Sequence, residues 1–320
     1  LKNGNVFFQD ENDELLFINK ISKNKIFYDF KNFENILSLN NEIFNIPYQL
    51  IVKNNDIEKK LFLKFNSKKI RLSIDSQNDY NKDNIKGILS ALLINETTKL
   101  NYDISKNSLV FKSEDKRNNY YGTIDFKPFY LSANFNYNMI KTKNLFSDES
   151  ILIDLIKSEI FNNKNLNVDL NLSAKNINDL NGLNKLDFKI LMANGNISPS
   201  GSRVMWKDDL EIKLEDSLLV YDKEQIYILT KIIIDIKDID DFYRSFQIPK
   251  KYRKKIKKIE FDVNYSLTKK IINFDFVKID NKSDDNLAEF INSFNQSEKK
   301  MINKIVFKNF VNKFFNVYAG

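Results

Sequence analysis

Apolar and polar residues alternate with a period of two through most of the chain. In Asn165-Leu-Asn-Val-Asp-Leu-Asn-Leu-Ser-Ala-Lys175, Leu166, Val168, Leu170, Leu172 and Ala174 fall on one side. Asn167, Asp169, Asn171, Ser173 and Lys175 fall on the other. Successive side chains of an extended chain point to opposite faces, so the pattern predicts a strand with one dry face. The same alternation runs through Phe129, Leu131, Ala133, Phe135 and Tyr137, and through Phe261, Val263, Tyr265 and Leu267. Shorter runs are Leu61 to Phe65, Ile70 to Ile74, Ile124 to Phe126, Leu186 to Ile190, Leu210 to Leu214, Ile226 to Ile228, Ile232 to Ile236 and Ile272 to Phe276. Strands of this kind, bounded by polar residues, predict an antiparallel sheet. Asn3-Gly4, Asn181-Gly182 and Asn194-Gly195 are hairpin dipeptides, and 115–119 and 221–225 are polar connectors, which together predict a meander.

Four segments carry helical spacing instead. Ser147 caps a predicted helix over 147–161 with Ile151, Leu152, Leu155, Ile156 and Ile160 on one side. Asp240 to Gln247 and Asp284 to Phe294 read as shorter helices. Ser297 to Val317 reads as a helical tail with Met301, Ile302, Ile305, Val306, Phe310 and Phe314 on one side.

Composition narrows the chemistry. The 320 residues are 42% hydrophobic, enough for a large core, yet they include no Cys and no His. That removes thiol nucleophiles, disulfides, Ser-His-Asp catalysis and His-ligated metals. No GxGxxG or GxxxxGK[ST] occurs, and seven glycines leave little material for phosphate-cradling loops. The 43 acidic residues form no recognisable pair of the kind a glycan-cleaving enzyme needs. The expectation is a protein that is not an enzyme and carries no metal or cofactor. The first residue is Leu rather than Met, which reads as a trimmed chain with any leader or anchor out of view. The longest apolar run, Ile88 to Ile94, is far shorter than the ~20 residues of a membrane helix.

The net charge of +7 equals the seven basic residues of Lys250-Lys-Tyr-Arg-Lys-Lys-Ile-Lys-Lys258. The rest of the chain is neutral, which argues against a broad nucleic-acid face. Tyr252, Ile256 and Ile259 are spaced four and three apart, as on one side of a helical turn. The run reads as a solvated helix face, or as a contact for anionic headgroups through Lys250, Lys251, Arg253, Lys254 and Lys255, each contributing ~1 kcal/mol near such a surface. The lysines around the tail allow either a cap over the sheet or a membrane-surface helix. Trp206, the single tryptophan, reads as a packing anchor.

Alternation by itself does not separate a closed core from an open trough. Few helices are predicted for many strands, and an uncovered dry face needs an apolar ligand. Acyl chains need only continuous apolar lining, and Leu166 to Ala174 would provide a strip of ~27 Å. An outer-membrane barrel would instead need aromatic girdles and uninterrupted hairpins.

Asn3-Gly-Asn-Val-Phe-Phe-Gln-Asp-Glu-Asn12 with Phe17 to Ile21 resembles the opening of AsmA-like bacterial envelope proteins. Asn165 to Leu170, Leu186 to Ile190, Asn194 to Ile197, Ser217 to Val220, Asp241 to Pro249 and Asn309 to Gly320 resemble the closing region of that family. The resemblance covers most of 165–320 and patches of 1–137. It implies a long twisted antiparallel sheet curled into an apolar groove, with a central helix and a helical C-terminal tail. It also implies a periplasmic body tethered to the inner membrane, moving phospholipid in outer-membrane biogenesis. No catalytic residues carry over.

The organisation expected is a β segment over 1–145, a helix over 146–163, a second β segment over 164–282 and a helical tail over 283–320, in one continuous elongated unit. The function expected is non-enzymatic lipid binding or conduction, with phospholipid acyl chains and an anionic membrane surface as partners and no nucleic acid. The lining residues would be Leu166, Val168, Leu170, Leu172, Ala174, Phe129, Leu131, Ala133, Phe135, Phe261, Val263, Tyr265 and Leu267. The alternative is a structural periplasmic β domain whose helices close its core.

Overall fold

The computed structural model describes the chain except residues 10–12, 82–83, 94–95, 116, 127, 142–157, 159, 161–162, 179–181, 223–224 and 297–303. The protein is mainly β, with nineteen strands in a mostly antiparallel sheet and three α-helices among the described residues. The helix expected over 147–161 lies almost wholly outside those residues. The chain divides into two compact units, Leu1–Ser173 with Leu191–Asn196, and Ala174–Ile190 with Ile197–Gly320. The division runs through a strand rather than through a linker.

The first unit is a meander. Its strands are β1 (Lys2–Gln9), β2 (Leu15–Asp29), β3 (Glu34–Ile43), β4 (Ile46–Asn55), β5 (Lys60–Ser67), β6 (Leu72–Tyr80), β7 (Ile85–Leu93), β8 (Glu96–Ile104), β9 (Ser108–Ser113), β10 (Asn119–Phe126) and β11 (Phe129–Ile140), joined by the first part of β12 (Asn167–Ile177). Each strand from β1 to β11 pairs antiparallel with its sequence neighbour. The apolar run at 88–94 falls largely in β7. Asn3-Gly4, expected as a hairpin turn, lies inside β1, where Asn3 has φ 54° and Gly4 pairs with Ile21. The β1–β2 turn falls later because the pairing extends through Gln9. Asn194-Gly195 does make a turn, with φ of 54° and 76°.

The second unit continues with β13 (Leu183–Ala193), β14 (Asn196–Ser198), β15 (Arg203–Trp206), β16 (Leu210–Asp222), β17 (Gln225–Ile236), β18 (Lys258–Ser266) and β19 (Ile271–Ile279). The two apolar runs at 226–228 and 232–236 are one strand, β17. Its neighbour β16 shifts register between Glu215 and Leu218, with Asp216 at φ 47°, and so stays paired with the unbroken β17. One face of this sheet carries a chain of ion pairs across the strands. Arg203 reaches Asp187 at 2.7 Å and Glu211 at 3.7 Å, and Lys213 reaches Glu211 at 3.3 Å and Asp235 at 2.8 Å.

The other face is apolar and largely covered. Helices α1 (Asp240–Ser245), α2 (Asp285–Gln296) and α3 (Lys304–Ala319) supply its cover. From α3, Phe310 stacks on Phe274 at 4.9 Å, and Phe314 meets Phe261 at 5.7 Å. From α1, Tyr243 packs edge-on against Phe315 at 5.0 Å. The core includes Ile248, Ile256, Ile259, Leu287 and Ile291.

The basic run is not the helix that its spacing suggests. After Pro249 one 3-10 turn, Lys250–Tyr252, leads through irregular chain into β18. The turn ends at Arg253, whose backbone is already extended at ψ 102°, and strand pairing begins at Lys258 opposite Asp235. Ile256 and Ile259 are nevertheless buried.

Phe314 is 2% exposed at the centre of this packing. Phe314→Ala is expected to destabilise the second unit by about 3–5 kcal/mol through lost burial and a residual cavity. The measurement is the urea midpoint followed by Trp206 fluorescence. Replacing the solvent-exposed Phe30 should leave the midpoint nearly unmoved.

Candidate functional site

In an antiparallel sheet, residues directly opposite each other share a face, so the register traces rows of side chains across the first unit. One row runs Leu39, Leu50, Phe65, Ile74, Ala91 and Thr98 over β3 to β8. A second runs Tyr80, Ile85, Ile104, Leu109, Ile124 and Leu131 over β6 to β11. A third runs Asn54, Leu61, Asn78, Gly87, Tyr102, Phe111, Gly122 and Ala133 over β4 to β11. All three rows lie on the same face, since their positions in each strand differ by an even number. From β3 to β11 that face extends eight strand spacings, roughly 38 Å along the sheet.

The opposite face mixes charged side chains with exposed Ile88, Leu92 and Val110. It carries the cross-strand pairs Lys64–Asp75 at 3.7 Å, Lys86–Asp103 at 3.0 Å and Lys20–Glu42 at 3.1 Å. These exposed pairs add little stability, but they mark which face meets water.

Glycines and polar residues punctuate the dry face where neighbouring rings need room. A Cβ on Gly122 would come within 2.7 Å of Phe111 Cζ, and one on Gly87 within 2.6 Å of the Gln77 carbonyl. Beside Gly87, the Tyr102 hydroxyl donates to Asn78 Oδ1 and meets Ser76 Oγ at 2.5 Å, while Asn78 Nδ2 donates to the Leu61 carbonyl at 3.0 Å. Asn19, Asn41 and Tyr48 form a similar cluster, with the Tyr48 hydroxyl donating to Asn19 Oδ1 at 3.1 Å. Mutual hydrogen bonding lets these groups sit among apolar neighbours.

The first unit also curls. Asn165 Nδ2 donates to the Leu15 carbonyl at 2.9 Å, and Asn163 Nδ2 donates to the Leu16 carbonyl. These asparagines precede β12, which lies beside β11, with Ser173 Oγ 2.6 Å from Asn136 Oδ1. Ten strand spacings, roughly 48 Å along a flat sheet, separate β2 from β12, so the sheet bends to make the contact. The dry face lies on the inner side. Asn78 is 2% exposed, whereas Gln77 and Asp79, pointing the other way, are exposed.

The lining residues expected from the sequence separate into two groups. Phe129, Leu131, Ala133 and Phe135 lie on the dry face of β11, with Ala133 buried and the others half-buried. Because Ser173 bonds to Asn136 on the wet face, Leu172, Leu170 and Val168 fall on the dry side, all half-buried. Leu166 and Ala174 are buried. The rows add half-buried Leu50, Phe65 and Ile74, and half-buried Leu63 lies on the same face between Leu61 and Phe65, opposite Val52 and Ser76.

Phe261 and Val263 must be corrected. They are 6% and 3% exposed and belong to the core that α3 closes, so they do not line an open trough. Tyr265 packs against that same core, and Leu267 lies past the end of β18, its N–H bonded to the Ile226 carbonyl at 2.8 Å. The helical tail supplies the cover that the shortage of predicted helices had discounted.

Three of the five cations expected to meet headgroups are engaged within the second unit. Arg253 Nε donates to the Ile248 carbonyl at 2.9 Å with its guanidinium 6.0 Å from the Tyr243 ring. Lys254 Nζ donates to the Tyr318 carbonyl at 3.0 Å and lies over that ring. Lys251 lies over Tyr252 at 4.6 Å. Lys250 and Lys255 are exposed and make no ion pair among the described residues.

Among the described residues, no three acidic side chains cluster as a metal site would require, and no helix is long and apolar enough to cross a membrane. No protein-family model matches the chain, and no curated protein is detectably similar to it.

Tyr243 is buried between α1 and the basic run, its hydroxyl donating to the Lys254 carbonyl at 2.6 Å. Burial pushes its pKa up to about 12. Below about pH 10 both folded and unfolded chains keep this proton. Between about 10 and 12 only the unfolded chain releases it, so stability is expected to fall through that window by up to about 2–3 kcal/mol. Urea melts of wild type and Tyr243→Phe across pH 9 to 12 check this: the variant should lose less stability over the interval.

Proposed function

We propose that the protein is a non-enzymatic lipid-handling module that shelters hydrocarbon chains along the dry inner face of its first unit. One contrast carries the reading. In the second unit the apolar residues of β18 and β19 are buried under helices, whereas Leu50, Leu63, Phe65, Ile74 and Leu131 in the first are only half-buried. Partial exposure across so many strands costs free energy in water, at roughly 25 cal/mol per Å² of apolar surface, and an acyl chain would remove that cost. A hydrocarbon ligand asks for no directional partners, which fits a face whose polar groups bond mostly to one another. The likeness of sequence patches to AsmA-like proteins supports phospholipid as the cargo and the bacterial envelope as the setting. For the second unit, the cover over Phe261 and Val263 favours a structural role for most of its sheet.

The test is lipid carried through purification from a bacterial host, quantified by native mass spectrometry. Wild type is expected to retain phospholipid, and Leu63→Arg on the dry face to lose most of it. Lys64→Glu on the wet face should retain the wild-type amount. Equal lipid in the two variants, or none in wild type, would overturn the proposal.

A further inference from the structure

The closure of the second unit is incomplete. Between its sheet and α3 lies a cavity of about 280 Å³ walled by apolar side chains, among them Ile212, Ile234, Phe261, Phe294, Phe310 and Phe314. Well-packed interiors hold few voids larger than a water molecule, and an apolar cavity of roughly 150 Å³ already accepts benzene. Phe307 lines the cavity and is 43% exposed, so this part of the wall reaches the surface. Trp206 also lines it.

We infer that this cavity is a second binding site, taking one hydrocarbon chain, such as that of a single fatty acyl group. The volume falls just below the roughly 300–1,000 Å³ of ordinary ligand pockets, which suits one chain and excludes a two-chain phospholipid. The wholly apolar wall selects hydrocarbon and offers no polar partner, so a head group would stay at the surface beside Phe307. The site lies wholly within the second unit and stands independently of lipid handling by the first.

Trp206 is the only tryptophan, so its fluorescence reports on the cavity directly. The full chain is titrated, below the micellar concentration, with a dibrominated long-chain fatty acid and with its unbrominated parent. Saturable quenching at one equivalent by the brominated acid alone is expected. Ile234→Phe, which fills the cavity, should weaken binding at least tenfold, while Leu63→Arg in the first unit should leave it unchanged. If Ile234→Phe lowers the melting temperature so far that it unfolds, Phe307→Glu at the exposed wall replaces it with the same expectation. Identical emission with the two acids, or quenching that survives the cavity variant, overturns the inference. Failure of the cavity arm leaves the proposed function untouched, because that is read separately from the phospholipid retained by wild type and by Leu63→Arg.

Discussion

Antiparallel register across short hairpins is the constraint on which the first unit depends. Side chains in a strand alternate with a period of two, so a slip of one residue at any hairpin would turn the rest of that strand inside out. The row from Asn54 through Leu61, Asn78, Gly87, Tyr102, Phe111 and Gly122 to Ala133 holds over eight strands without a slip. That continuity makes a set of separate amphipathic strands into one apolar surface. The ion pairs on the reverse side reinforce the same register, since a slipped strand would bring Lys64 and Asp75 among the leucines.

The two units solve the problem of a dry sheet face differently. In the second, the aromatic residues of α3 fill most of the space above β18 and β19, and burial there is nearly complete. In the first, partial shelter comes from the curl of the sheet, and small residues keep the face low where large rings pass over it. Gly87 and Gly122 are examples, each opposite an aromatic ring on the neighbouring strand. A protein that needed only stability would gain by covering such a face. Its incomplete burial is therefore the main physical reason for reading it as a working surface.

The strands with unbroken alternation, such as β11 and β18, were legible because every second residue is apolar; in β19 a register shift turns Phe276 outward and gives its place to Val277. β2 was not, although it is fifteen residues long. Its register shifts between Ile21 and Lys23, so Phe17, Asn19 and Ile21 share a face with Asn24, Ile26 and Tyr28 and the period breaks in the middle. The polar members of the dry face, Asn19, Asn41, Ser76 and Asn78, were hidden for another reason. Their burial depends on hydrogen bonds to residues up to 29 positions away, and no local pattern encodes such a partner. The basic run misled by the opposite route: Tyr252, Ile256 and Ile259 have helical spacing, but burial of the last two is achieved by a loop entering a strand.

Local chemistry written in the chain determined the strand-rich architecture, the order of its hairpins, the short helices near 240 and 285, and the lack of histidine and thiol chemistry. These follow from side-chain period, turn residues and composition, which act over a few residues. Which dry strands would be covered was decided only in the tertiary structure. Leu131 and Phe261 sit in equally regular alternation, yet one is half-buried on the inner face of a curled sheet and the other lies beneath Phe314. Burial is a property of what packs above a residue, and for Phe261 that neighbour lies 53 positions further along the chain.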